Sequence, residues 1–111
     1  MKTKNNLIKF LLIFNFFYLE PCSALNLEKG KNLFLKNCIA CHKGGANVII
    51  PEKNLKKLTL KANGMFTIES ISYQILNGKN GMPAFGGRLM EEEIENIAEY
   101  VIFAAEKNFE F

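Results

Sequence analysis

The 111-residue sequence contains few of the residues that build most protein metal sites: it has one histidine, His42, and three cysteines. A structural zinc ion takes four cysteine or histidine ligands, usually arranged as two spaced pairs. Cys38, Cys41 and His42 form a single cluster, and no second pair follows them in the sequence. The composition therefore argues against a zinc-stabilised domain.

Clusters of positive charge are also missing. The formal net charge is +3, and no stretch of five or more basic residues occurs. Lys2, Lys4, Lys9 and Glu20 all precede residue 25, so the remainder is close to neutral. Proteins that bind nucleic acid carry a basic patch or stripe, and this chain shows none.

The sequence has no apolar run long enough to be a membrane-spanning helix. Its longest run, FLLIFNFFYL at residues 10–19, is interrupted by Asn15, whereas a spanning helix needs about 20 apolar residues. Basic residues precede the run, and small residues at 22 and 24 follow it. This order is typical of a secretory-type signal peptide. It predicts a leader of residues 1–24, cleaved after Ala24, and a mature domain of residues 25–111 that lacks Cys22.

No alternating strand pattern and no internal repeat is present, whereas signals for helices are frequent. Residues 27–38 are predicted to form a helix, although Gly30 would destabilise it unless another backbone packs closely there. A short helix or turn is expected at 55–61. Thr67 is a suitable N-cap for a helix over 68–76, which Asn77-Gly78 would end.

The last helix has the clearest pattern. Three glutamates, residues 91–93, lie at its start, where negative charge suits the helix dipole. An apolar face then recurs at helical spacing, formed by Ile94, Ile97, Ala98, Val101, Ile102 and Ala105. The stretches 43–54 and 77–89 are rich in glycine and proline and are predicted to be loops. We expect an all-α domain of about four helices, whose small core requires a cofactor that the long loops can wrap.

The motif CIACH at residues 38–42 fits a redox dithiol or a covalently attached haem better than zinc. A thioredoxin-like dithiol begins a helix in a βαβ unit, and the sequence lacks the strands. Haem attachment uses every member of the motif: Cys38 and Cys41 take up the two vinyl groups, and His42 binds the iron. The motif therefore predicts one covalently attached haem c.

The second axial position of the iron cannot be filled by another histidine of this chain. Methionine sulfur is the remaining candidate, and it raises the potential of haem iron. Met82 is the predicted ligand, because it lies about 40 residues beyond His42 in a loop stiffened by Pro83. Met65 and Met90 are interpreted as packing residues.

CIACHKGG, the loop NGKNGMPAFGGRL and the final helix ending in IAEYV together resemble the class I c-type cytochromes, and within them the cytochrome c6 family. The resemblance covers essentially all of residues 25–111. It implies that Gln74 lies close to the haem and helps to set its potential. It also implies that Gly30 and Phe34 pack against the last helix near Tyr100. Arg88 matches an arginine linked to partner docking.

The resemblance further implies a soluble one-electron carrier, not an enzyme. It would accept electrons from the cytochrome b6-f complex and pass them to photosystem I in the thylakoid lumen of a plastid. A periplasmic class I cytochrome that donates electrons to a terminal oxidase is the nearer alternative. A haem enzyme or gas sensor with an open axial position is the more distant one.

Overall fold

A computed structural model describes residues 21–111 as a chain of helices and shaped loops. No strand occurs in this range, which contains only two isolated β-bridges. The all-α prediction is thus confirmed. The helices are α1 (Pro21–Asn37), α2 (Ile39–His42, one turn), α3 (Lys57–Ala62), α4 (Ile68–Asn77) and α5 (Glu91–Glu106), with 3₁₀ turns at Lys43–Gly45 and Pro51–Lys53.

The predicted leader falls almost entirely outside the described residues. Helix α1 begins at Pro21 and therefore runs through the predicted cleavage point after Ala24. None of the helices described from residue 21 onward is long and apolar enough to cross a membrane.

Helices α1 and α5 pack closely where Gly30 meets the backbone of α5. A Cβ atom at Gly30 would overlap the carbonyl group of Asn96 and contact Cβ of Tyr100. One turn later, the rings of Phe34 and Tyr100 pack with their centroids 5.3 Å apart. A glycine in a helix costs about 1 kcal/mol relative to alanine. At Gly30 this cost is offset by the close packing of α1 on α5, which no larger residue would permit. The packing implied for Gly30, Phe34 and Tyr100 is confirmed.

Both ends of α4 are determined by local hydrogen bonds. Oγ1 of Thr67 accepts a hydrogen bond of 3.1 Å from the backbone N–H of Ser70, as an N-cap should. At the other end, Gly78 adopts a φ of 67° and its N–H donates to the carbonyl of Gln74 at 2.8 Å. The predicted helix is confirmed, and it extends one residue further, to Asn77.

Helix α5 buries most of its predicted apolar face against α1 and α4. Ile102 is the exception, because it is only partly buried. Tyr100 and Ala104, which lie outside the predicted face, are buried as well. The buried members of the predicted face are Ile94, Ile97, Ala98, Val101 and Ala105.

The interpretation of Met90 as a packing residue is wrong. Its side chain is 67% exposed, since Met90 occupies the N-cap of α5 and points away from the core. A methionine cannot cap as a serine does, but the carboxylate of Glu93 accepts a 2.9 Å hydrogen bond from the Met90 N–H. This bond satisfies one backbone donor at the start of the helix.

Candidate haem-binding site

The side chains predicted to hold the haem line one crevice. Cys38, His42 and Met82 border a cavity of about 290 Å³. The same three residues border an adjoining space of about 100 Å³, to which Cys41 also contributes. The walls of the larger cavity are mainly apolar and come from α1, α4 and α5, through Phe34, Ile71, Ile75, Ile97 and Val101.

The two cysteines lie on the short turn that follows α1. Cys38 directly follows the last residue of α1, and its carbonyl accepts hydrogen bonds from the N–H groups of Cys41 and His42 at 3.2 and 2.9 Å. Burial raises the pKa of the Cys38 thiol to about 11, and the nearby Cys41 adds to this shift. No disulfide joins the side chains of Cys38 and Cys41. The Cys38 thiol is therefore neutral at physiological pH.

The imidazole of His42 is oriented by a backbone carbonyl. Its Nδ1 lies 2.9 Å from the oxygen of Ala46. Because a carbonyl oxygen can only accept, Nδ1 donates to it; in the neutral imidazole this geometry places the ring proton on Nδ1 and leaves the lone pair of Nε2 free. A neutral imidazole held in this way is a typical metal ligand, and its hydrogen-bonded partner fixes the ring plane.

The two glycines after His42 make this contact possible. Gly44 and Gly45 have φ angles of 64° and 79°, in the left-handed region that favours glycine. They reverse the chain so that the carbonyl of Ala46 returns to the imidazole four residues before it. The sequence CHKGG therefore contains both the predicted ligand, His42, and the turn that orients its ring.

Asn47 is a structural residue of the site that the sequence interpretation missed. Its Oδ1 accepts hydrogen bonds from the N–H groups of Ile49 and Ile50 at 3.1 and 2.9 Å, and its Nδ2 donates to the carbonyl of Lys53 at 3.0 Å. Asn47 also lines both spaces of the crevice. An asparagine two residues after a glycine pair is typical of such a turn, and this was the signal available in the sequence.

Met82 is placed by a tight reversal of the chain. Lys79 and Met82 exchange two backbone hydrogen bonds of 3.1 Å, and Asn80 between them has a φ of 47°. A Cβ at Gly78 would lie 2.5 Å from the carbonyl oxygen of Met82, so the loop folds back onto a residue that must be glycine. Downstream, the N–H of Phe85 donates to the carbonyl of Ile75 at 2.9 Å and ties the loop to α4.

Gln74 projects from α4 toward the same sulfur. Its Nε2 lies 3.9 Å from Sδ of Met82, and both side chains are partly buried. Met65 also borders the larger cavity as a partly buried packing residue, in agreement with its interpretation. Met90 borders neither space.

Arg88 lies outside the crevice and is exposed near the end of the loop of residues 77–89 that contains Met82. Its guanidinium carbon is 4.8 Å from the centroid of the Phe85 ring, a cation–π distance. The Arg88 side chain is exposed to solvent and covers one side of the buried Phe85 ring.

The donor set and the walls of the crevice fit an iron porphyrin. Two thiols, an imidazole with a free Nε2 and a thioether border one apolar space. Within residues 21–111, no three histidine, cysteine, aspartate or glutamate side chains are grouped as a metal ion would require. The described part of the chain thus offers no zinc centre, and the mainly helical surroundings of Cys38 and Cys41 differ from the βαβ setting of a redox dithiol.

Comparison with known proteins agrees with this geometry. Residues 25–101 match the family model described as cytochrome c oxidase, cbb3-type, subunit III. A cytochrome c6 of Pyropia yezoensis is 48% identical over 96% of this chain and 99% of its own. A cytochrome c6 of Bumilleriopsis filiformis is 53% identical over 77% of this chain and 99% of its own.

Solved structures give the same result. The structure of cytochrome c6 from the diatom Phaeodactylum tricornutum superposes with a TM-score of 0.72 at 51% identity, covering 74% of this chain and 97% of that one. Oxidised cytochrome c6A from Arabidopsis thaliana superposes with a TM-score of 0.75 at 35% identity, covering 78% and 97%. The chain therefore belongs to the cytochrome c6 family of class I c-type cytochromes, whose members carry one covalently attached haem c and transfer electrons rather than catalyse a reaction.

Proposed function

We propose that Cys38 and Cys41 attach the haem, that His42 and Met82 are the axial ligands of its iron, and that Gln74 adjusts the strength of the Met82 ligand. When bound, the haem supplies an iron that changes between the Fe(III) and Fe(II) states. The orientation of the His42 ring by the Ala46 carbonyl, with Nε2 left free, is the observation that carries this proposal.

The chain's own residues would make electron transfer fast in three ways. His42 and Met82 would both bind the iron, which would leave no coordination site for a substrate. The turn at Lys79–Met82 and the bond from Phe85 to Ile75 would hold the thioether in place while the iron changes its oxidation state. The mainly apolar walls would limit the access of water to the bound haem, so that little solvent would rearrange when the charge on the iron changes.

We further propose that this carrier takes electrons from the cytochrome b6-f complex and delivers them to photosystem I in the thylakoid lumen. The support is the sequence identity to relatives named cytochrome c6 along almost their whole length. Arg88, exposed beside the methionine loop, is the side chain proposed to contribute to docking. Such encounters are weak and brief, and charge steers the approach.

Residues 25–111 form the proposed mature protein, after removal of a leader of residues 1–24. The family model begins its match at residue 25. The Bumilleriopsis filiformis relative aligns over 99% of its own length yet covers only 77% of this chain. Both observations support a functional domain that starts near Leu25, and N-terminal sequencing of the exported protein tests it.

Flash-induced electron transfer to photosystem I particles tests the proposed partner. The reduced protein should re-reduce the flash-oxidised reaction centre at a rate that rises with protein concentration and changes with ionic strength. Replacing Arg88 by glutamine should slow this transfer, whereas replacing the exposed Lys31 on α1 should not. A failure of the reduced protein to transfer electrons at any salt concentration would contradict the proposed partner while leaving haem binding intact.

A periplasmic electron donor to a terminal oxidase remains the second candidate. The description of the matching family model, which names a cbb3-type oxidase subunit, favours it. Oxygen consumption by oxidase-containing membranes supplied with the reduced protein separates the two functions. Fast turnover there, together with no reaction with photosystem I, would select this alternative.

A further inference from the structure

The C-terminal tail contains an aromatic residue in an unusual backbone conformation. Phe109 follows the end of α5 with a φ of 57°, and the preceding Asn108 has a φ of 49°. The N–H of Phe109 donates to the carbonyl of Ala104 at 2.8 Å, and the N–H of Asn108 donates to the carbonyl of Ala105 at 3.0 Å, so the helix ends in a Schellman motif. Bulky residues rarely adopt a positive φ, so the contacts of the Phe109 side chain must stabilise this turn.

The ring of Phe109 packs directly on Gly45. A Cβ at Gly45 would lie 2.5 Å from Cδ2 and 2.9 Å from Cγ of that ring. The ring also packs beside Phe34, with centroids 6.1 Å apart. Gly45 is buried by these contacts although it belongs to a surface loop. The tail therefore covers the turn that follows the CIACH motif.

Hydrogen bonds join the same two segments through residues 55 and 56. The N–H of Leu55 donates to the carbonyl of Gly45 at 2.7 Å. Nζ of Lys56 donates to the carbonyl of Asn108 at 2.8 Å. Gly45, the 55–56 segment and the C-terminal tail are thus joined by hydrogen bonds in addition to the contact between the Phe109 ring and Gly45.

The next residue after Gly45 supplies the carbonyl that holds the His42 imidazole. We propose that Phe109 is a positioning residue for the axial histidine: its ring fixes the Gly45–Ala46 segment, and the Ala46 carbonyl in turn fixes the plane of the His42 ring and the proton on Nδ1. This inference rests on the proposed role of His42 as an iron ligand. Phe109 would thus act on the His42 ring through the hydrogen bond between Nδ1 and the Ala46 carbonyl.

Exchange of the His42 Nδ1 proton with solvent measures this effect directly. The experiment uses the mature, haem-containing protein in its reduced state and ¹⁵N NMR of the imidazole. In Phe109→Ala, the exchange rate should rise by at least about tenfold, because the Ala46 carbonyl is no longer held against the ring. Phe109→Tyr keeps the ring and should exchange at the rate of the parent protein.

Phe111→Ala is the matched control. Phe111 lies two residues further along the same tail, is 79% exposed and stacks on Phe103 at 6.4 Å, away from Gly45. Its removal should leave the exchange rate of the His42 proton unchanged. An increase in Phe111→Ala equal to that in Phe109→Ala would show a general loosening of the tail and would overturn the proposal.

The free energy of unfolding separates positioning from simple packing. If Phe109→Ala is destabilised and its Nδ1 proton still exchanges at the parental rate, Phe109 is a packing residue and the inference is wrong. Should that variant not fold, Phe109→Leu replaces it: faster exchange supports the proposal, and parental exchange refutes it. The spectrum of the parent protein independently tests haem ligation by His42, so failure of the proposed function is distinguishable from failure of this inference.

Discussion

The amide nitrogen of Gln74 lies 3.9 Å from the sulfur of Met82, and the two side chains come from different elements of the fold. The positive end of the amide dipole therefore points toward the proposed axial sulfur. A positive dipole beside an iron ligand stabilises the reduced, less positively charged iron. This contact is the structural basis of the proposed effect of Gln74 on the redox potential.

Replacing Gln74 by leucine should lower the reduction potential and leave the Met82–iron bond intact. Leucine has a similar volume but carries no N–H dipole, so the reduced state loses its electrostatic stabilisation. Potentiometric titration measures the change, and the absorption spectrum reports the ligand. Tyr73→Leu is the control, since Tyr73 is 71% exposed on the same helix; a potential that responds equally to both substitutions would argue against this contact.

Replacing Met82 by alanine should remove the second axial ligand. The weak sulfur-to-iron absorption band of the oxidised protein should disappear and the potential should fall strongly, because methionine sulfur favours reduced iron. Met90→Ala removes the same chemical group from an exposed position and should change neither property. Survival of the band in Met82→Ala would exclude Met82 as the ligand.

Replacing Gly30 by alanine should destabilise the fold despite the better helix propensity of alanine. The new methyl group would collide with the Asn96 carbonyl, and overpacking of this kind costs about 1–3 kcal/mol. Denaturant unfolding followed by circular dichroism measures the loss. Lys31→Ala, at the exposed neighbouring position, should change stability by less than about 0.5 kcal/mol; a similar loss in both variants would contradict the close approach of α1 and α5.

Removing either of two hydroxyl groups in the α4 segment, by alanine substitution, should affect the stability of the fold differently. Thr67→Ala removes the N-cap bond to Ser70 and should cost about 1 kcal/mol. The Oγ of Ser72 is buried, and no hydrogen-bond partner is found for it among residues 21–111. Ser72→Ala should therefore leave stability unchanged or raise it. A loss in Ser72→Ala as large as that in Thr67→Ala would indicate a partner for this hydroxyl.

The phenol of Tyr100 should make the fold sensitive to alkaline pH. Burial raises its pKa above the ordinary value of 10.0, so the folded state keeps the proton at pH values where the unfolded state has lost it. The stabilisation is complete below about pH 10 and is lost as the pH rises through the folded pKa. The free energy of unfolding should therefore decrease more between about pH 8 and about pH 11 in the parent protein than in Tyr100→Phe. Equal decreases in the two proteins would show that this phenol does not contribute.

Features that depend on neighbours in the sequence were predicted well. Thr67 and Gly78 delimit α4 within one residue, because caps are local hydrogen bonds. The apolar spacing of α5 identified most of the residues it buries. The prediction of a loop at 43–54 was correct in outline, although single 3₁₀ turns occur at its two ends.

Contacts between distant segments were not accessible from periodicity. In the sequence, Phe109 is only an aromatic residue near the C-terminus. The folded chain alone shows that its ring packs on Gly45. The buried position of Tyr100 came from family resemblance, since it falls outside the apolar face. Met90 was misplaced because an apolar residue at a helix start can point outward when another side chain, here the Glu93 carboxylate, supplies the capping hydrogen bond.

The meeting of α1 and α5 at Gly30 determines when the domain can fold during its synthesis. Helix α1 leaves the ribosome early, yet the backbone groove that receives it belongs to the last helix to be made. Until that helix emerges, the first one has no surface on which to dock, and the ends of the chain must find each other across the whole intervening length. Such a polypeptide cannot complete its fold before its last helix is made, and the proposed leader of residues 1–24 would require a chain in that state for export.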